Sequence, residues 1–176
     1  MNTFKTSIIE YSILWWGLFI LTYYYTNTFL IEVGLCLFGL FLYTLMEYGL
    51  HKYIFHGPLW HLHKQHHKLD YKQEYLIPFT YSIPICLLCY LMYIVIFGAY
   101  SISLLRGNIL GYIGFEYINY VSNISNKLTT KIKKIKYVDE LIDTQNKHRI
   151  VQGKRYINYG ITNVYWDKTF GTFNSK

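Results

Sequence analysis

Six of the chain's seven histidines fall within one stretch of eighteen residues, HKYIFHGPLWHLHKQHHK, from His51 to Lys68. His63, His66 and His67 form H-x-x-H-H, and at 100° per helical residue their side chains fall within an arc of about 100°. One helix face then offers three imidazoles to a metal centre. His61 lies on the far side of that helix and reads as a surface residue or as one that supports the ligands from behind. His51 and His56 are five residues apart, about 140° around a regular helix, so either they serve different metals or the helix loosens between them. Ligation rich in imidazole and free of thiolate suits iron, zinc, copper or nickel. Glu47, one turn before His51, is spaced to hold that imidazole's other nitrogen and fix its tautomer, or else to reach for water at an interface.

The elements that must position these groups are apolar. The chain has 176 residues, 52% of them hydrophobic and 15% charged, a balance unlike that of an ordinary soluble globule. Its apolar residues come in blocks of about the 20 residues that a membrane helix needs. Four such segments are expected, at about 7–25, 28–48, 77–98 and 101–121. The third contains Pro78 and Pro84 and is read as broken by them. Pro58 disfavours helical geometry at Gly57, which predicts that the second helix ends near His56. From Thr28 to His56 it would measure roughly 42 Å, against a hydrocarbon core of about 30 Å, so its last turns should stand out of the membrane with the histidines on them. The fold class expected is therefore all-α: a polytopic membrane protein of one domain, residues 1–176, with a cytoplasmic helical cap that carries the histidine cluster and includes the tail 122–176.

Four crossings put the N-terminus, the histidine loop and the tail on one side. That side holds sixteen of the seventeen Lys and Arg residues, and Arg106 alone lies opposite. The positive-inside rule makes the shared side cytoplasmic, at a bacterial inner membrane or the endoplasmic reticulum. Topology and contact with anionic head groups account for the net charge of +7, and no nucleic-acid partner is needed. Cys36, Cys86 and Cys89 all lie in apolar segments and read as packed or lipid-facing thiols.

EYGLHKYIFHGPLWHLHKQHHKLD, Glu47 to Asp70, resembles the first two histidine boxes of the fatty acid hydroxylase/sterol desaturase superfamily, with local similarity to its carotenoid hydroxylase branch. NYGITNVYWDKTFGT, Asn158 to Thr172, resembles the segment that closes many members. The resemblance implies an integral membrane non-haem di-metal enzyme with two iron ions (one metal, or zinc, is the alternative). It would use O2 and an external electron donor, of ferredoxin or cytochrome type, to hydroxylate or desaturate a lipid from the bilayer. An acyl lipid is the substrate expected and a carotenoid the alternative. The implied metal ligands are His51, His56, His63, His66, His67 and His148.

Two departures from the family pattern set further expectations. His148 aligns with the first histidine of the third box, but Val151 and Gln152 stand where its adjacent pair is expected. Asn119 and Asn123 similarly replace histidines of the last-helix pattern. Glu116, Asn119 and Gln152 are the side chains available as substitute ligands, Glu116 also being read as a group that snorkels to the interface. Counting imidazoles in this way predicts an incomplete site, and with it a catalytically impaired, structural or metal-binding homologue as the competing reading.

Overall fold

A computed structural model of the protein describes residues 3–26, 28–64, 67, 79–123, 127–150 and 157–174. Every regular element among them is helical: α1 (Thr3–Thr26), α2 (Phe29–Gly49) continuing as a π-helical turn (Leu50–Phe55), α3 (Trp60–His63), α4 (Phe79–Phe97), a 3-10 turn (Gly98–Tyr100), α5 (Ser101–Asn123), α6 (Lys127–Ile132), α7 (Lys136–Ile150) and α8 (Tyr165–Thr169). Helices thus occupy all four apolar segments. α4 runs through Pro84 instead of breaking there, and Pro78 lies outside the described residues. Two stretches, Phe29–Phe55 and Cys86–Asn123, are long and apolar enough to cross a membrane, and Ile8–Tyr24 is a shorter apolar stretch.

The chain divides into two compact units. The first comprises residues 1–43 and 75–116, and it is built inside out. Leu30 and Val95 are 80% and 84% exposed while Glu32 and Arg106 are 0% and 2% exposed, the polarity expected of helices whose surroundings are apolar. Arg106 donates to Glu32 Oε2 at 2.8 Å and to Thr22 Oγ1 at 3.1 Å, and Ser103 Oγ donates to both Glu32 oxygens. One buried ion pair therefore joins α1, α2 and α5. Backbones approach closely where that happens: a Cβ on Gly39 would lie 2.1 Å from the Leu104 carbonyl oxygen, and one on Gly107 would lie 2.1 Å from that of Cys36. Only glycine allows α2 and α5 to pack at this distance. The chain reverses between α4 and α5 at Gly98, whose φ is +55°. Tyr93 and Asn108 consequently exchange hydrogen bonds at 3.2 and 2.9 Å, although fifteen residues of continuous helix would hold them about 22 Å apart.

The second unit, residues 44–74 and 117–176, carries the histidines. Its apolar core is Tyr48, Tyr159 and Trp166. Trp166 Nε1 donates to Thr44 Oγ1 at 2.9 Å, and Phe170 stacks on Tyr48 at 5.2 Å, so α8 is fastened to the end of α2. α7 buries Leu141, Ile142, Thr144, Gln145 and His148. Those positions repeat every three to four residues, the period of one helix face, and they carry His148 inward.

Candidate metal centre

The spacing of His51 and His56 is resolved by the backbone. From Leu50 to Phe55 the helix widens to a π turn, with His56 N–H donating to the His51 carbonyl at 3.1 Å. This i→i+5 closure brings the two rings to 5.1 Å, centroid to centroid. The helix does loosen, and it ends at His56 as Pro58 predicts. The chain then folds back through α3, which puts the His63 ring 4.8 Å from both His51 and His56. α7 adds His148, 4.5 Å from His51 and 4.9 Å from His56. One ligand atom from each of His51, His56, His63 and His148 lies within 4.8 Å of all the others. The buried His67 ring packs beside them, 4.7 Å from His148 and 5.0 Å from His56.

Two backbone carbonyls orient the cluster. His51 Nδ1 lies 2.6 Å from the Tyr159 oxygen and His148 Nδ1 lies 2.6 Å from the Ile157 oxygen. A carbonyl only accepts, so each Nδ1 carries the proton and each Nε2 presents its lone pair. Those Nε2 atoms face further ring nitrogens: His51 Nε2 is 3.0 Å from His63 Nε2, and His148 Nε2 is 3.1 Å from His56 Nε2. Two imidazoles at right angles on one ion, each with a bond of about 2.1 Å, would sit about 3.0 Å apart. Both pairs have that separation. Protonation is disfavoured in the same place. Burial, followed by the neighbouring His67, lowers His56 to about 4, and burial holds His148 well below the ordinary imidazole range despite its bond to Ile157. Burial also lowers His67. Neutral imidazoles with converging lone pairs are what a divalent transition metal requires, and the donor set fits one.

The carbonyls are held by residues 157–162. Asn158 has a φ of +56°, a left-handed conformation that asparagine tolerates better than most residues. Its side chain accepts from Asn174 N–H at 2.8 Å and donates to the Asn174 carbonyl at 3.0 Å. Glu47 accepts from the Ile161 and Thr162 N–H groups and from the Thr162 hydroxyl. Asp167 accepts from Tyr159 and Gly160 N–H at 2.8 and 2.7 Å and from the Thr172 hydroxyl at 2.7 Å. Burial raises the Asp167 carboxyl above its usual range, and those three donors oppose the rise.

The profile of the fatty acid hydroxylase family matches residues 36–172. The chain belongs to that family. The solved structure described as full-length scs7p with only its hydroxylase domain visible is similar in fold, with a TM-score of 0.66 and 20% identity over 92% of this chain and 67% of that one. No curated protein matches the chain. Family membership and a buried histidine cluster suited to a histidine-box di-iron site thus stand together.

One expectation is corrected. Counting residues in the third box, where Val151 and Gln152 replace histidines, predicted an incomplete site and put activity in doubt. The cluster of His51, His56, His63 and His148 is nevertheless intact, because α7 carries His148 inward. Val151, Gln152 and His66 lie outside the described residues. His61 is exposed, as expected. Nδ1 of His51 is held by Tyr159, leaving Glu47 to hold the loop behind it. Glu116 belongs to the first unit, where it accepts from Tyr112 at 2.6 Å. Asn119 is buried on α5, and Asn123 accepts from Arg149 of α7 at 2.9 Å. Sequence reasoning missed Asp167 and both carbonyls, for which the only signal was the NYG and WDKTFGT resemblance. It also missed Gln145, whose buried amide has no hydrogen-bond partner for either polar atom among the described residues.

Proposed function

We propose that the chain is a membrane-bound non-haem di-iron oxidoreductase that hydroxylates an acyl lipid, with O2 and electrons from an external donor. The observation that carries this reading is the pairing of Nε2 atoms at 3.0 and 3.1 Å, each pair containing one imidazole whose Nδ1 is bonded to a carbonyl. On this reading His51 with His63 and His56 with His148 would each hold one metal, with His66 and His67 completing the second box of the sequence. Iron supplies the activation of O2 needed to attack an unactivated C–H bond, which no side chain here provides.

The protein's own part is placement and exclusion of water. Phe55 stacks on His63 at 5.6 Å, and Trp60 lies 5.3 Å from both His56 and His67. These rings wall the imidazoles with apolar surface against which an alkyl chain packs. Four apolar segments of one domain span the bilayer with both termini cytoplasmic, as the sixteen-to-one distribution of basic residues supports. A lipid then enters sideways and meets the histidines at the inner boundary. The lysines between Lys127 and Lys136 face head groups and an acidic donor of ferredoxin or cytochrome type. The fatty acid description of the matching family favours acyl lipid over carotenoid.

Metal analysis of the purified chain tests the reading. Two irons per chain are expected, and one zinc or no metal overturns it. A host expressing the chain should gain a hydroxylated acyl species that disappears in His148→Ala. A hydroxylated carotenoid instead would transfer the assignment to that substrate.

A further inference from the structure

The Tyr159 carbonyl that accepts from His51 and the Gly160 N–H that donates to Asp167 Oδ2 are opposite ends of one peptide group. In a trans peptide the C=O and N–H bonds point in opposite directions, so their dipoles align and are rigidly coupled. A continuous path therefore runs from carboxylate to peptide to imidazole, with bonds of 2.7 and 2.6 Å. We propose that Asp167 is a positioning residue of the metal centre, whose carboxylate acts through the Tyr159–Gly160 peptide to fix the His51 ring and strengthen its donation to the metal. The inference rests on the metal-site reading above and adds a residue to it.

Several features make this more than loop packing. Asp167 is fully buried, at 0% exposure, where a charge-assisted bond is stronger and polarises the groups in line with it. All three of its side-chain partners are donors, which is the environment of an ionised carboxylate. Gly160 is required for the approach: a Cβ there would lie 2.9 Å from Asp167 Oδ2 and 2.1 Å from the Asn163 carbonyl oxygen. The second imidazole provides an internal comparison. His148 is held by the Ile157–Asn158 peptide, whose N–H donates to the Thr172 carbonyl at 3.0 Å. That path ends on a neutral carbonyl, while the path from His51 ends on a charge. The arrangement is the carboxylate–histidine–metal triad with a peptide unit inserted.

Asp167→Asn keeps the shape, removes the charge and turns an amide NH2 toward one of the two backbone N–H groups. The expected result in the purified, full-length chain is metal affinity reduced by about 10–100-fold, read by competition with a chelator. The reduction potential of the iron-loaded protein should rise, because a weaker donor stabilises the oxidised ion less. Trp166→Phe breaks a neutral bond from the same helix to Thr44 and should leave the potential unchanged. Thr172→Val removes the hydroxyl that competes for Asp167 Oδ1 while keeping the Thr172 backbone. It should move the potential the opposite way, downward, and carries the test alone if Asp167→Asn does not fold. An unchanged potential in Asp167→Asn, an equal rise in Trp166→Phe, or a rise in Thr172→Val overturns the proposal. A wild type that binds no metal overturns this inference together with the function. Metal that binds and responds to Asp167 without any lipid product overturns only the function.

Discussion

Removing Arg106 alone should cost more than removing it together with its partner. At the 2.8 Å between Arg106 Nη1 and Glu32 Oε2, unit charges attract by about 6 kcal/mol at an effective dielectric near 20. Desolvation cancels much of that in the intact pair, so the pair itself adds little net stability. A single truncation leaves the surviving charge buried and unmatched, at about 3–5 kcal/mol. The two singles should differ. Among the described residues, Arg106→Met leaves the Glu32 carboxylate only the Ser103 hydroxyl, shared between its two oxygens at 2.9 and 2.8 Å. Glu32→Met leaves the guanidinium still over Trp15 and Phe19, at 4.8 and 4.5 Å from their centroids, and bonded to Thr22. Those rings offset about 1–2 kcal/mol, so Glu32→Met is the milder change. In the double variant the Thr22 hydroxyl keeps its bonds to the Leu18 and Phe19 carbonyls, and stability should return to within about 1–2 kcal/mol of wild type. Equilibrium unfolding in detergent micelles, read as a double-mutant cycle, should give a coupling energy of at least about 2 kcal/mol. A double variant as unstable as the two singles summed would refute the argument.

Acidification should destabilise the metal-free protein. The unfolded chain takes up protons near the ordinary histidine value of 6.5, whereas burial lowers His56 to about 4 and holds His148 well below that ordinary value. The unfolded state binds more protons in that window, so thermal midpoints should fall as pH drops from 6.5 towards 4; a rising midpoint contradicts neutral burial. Gly107→Ala places a methyl group 2.1 Å from the Cys36 carbonyl and 2.4 Å from Leu40 N, so α2 and α5 must separate at about 1–3 kcal/mol. Gly17→Ala, with nothing within 4 Å, is the neutral control in the same unfolding assay. Gln145→Leu removes a buried amide that has no partner among the described residues and should stabilise the metal-free chain by about 1–3 kcal/mol; a lower thermal midpoint would show that the amide is paired after all.

Histidine spacing put His63, His66 and His67 on one helix face, but it left open whether His51 and His56, five residues apart, could share a centre. Nothing in LHKYIF distinguishes a π turn from an α turn, since the two differ by one hydrogen-bond partner and the choice is made by what the rings meet in three dimensions. His148 was legible only through the family resemblance, because a single histidine on a distant helix has no spacing to read. The doubt raised by Val151 and Gln152 came from counting letters in a motif, while the centre is defined by which rings converge. Arg106 read as a lone charge in a short outer loop for a related reason: its partner Glu32 is on another helix, and the Gly39 and Gly107 contacts that bring them together look like ordinary apolar sequence.

The least legible part of the site is also the part that orients it. The groups that fix His51 and His148 are the carbonyls of Tyr159 and Ile157, and a carbonyl is common to every residue, so no letter records it. What the sequence does record is the backbone path that aims them. Asn158 is one of the few side chains at ease with a φ of +56°, and Gly160 is the residue that lets a carboxylate reach its peptide. Asp167 then couples that peptide to α8. The letters N, G and D are therefore constraints on where two lone pairs point. Their chemistry becomes visible only when each peptide group is followed from its N–H to its carbonyl.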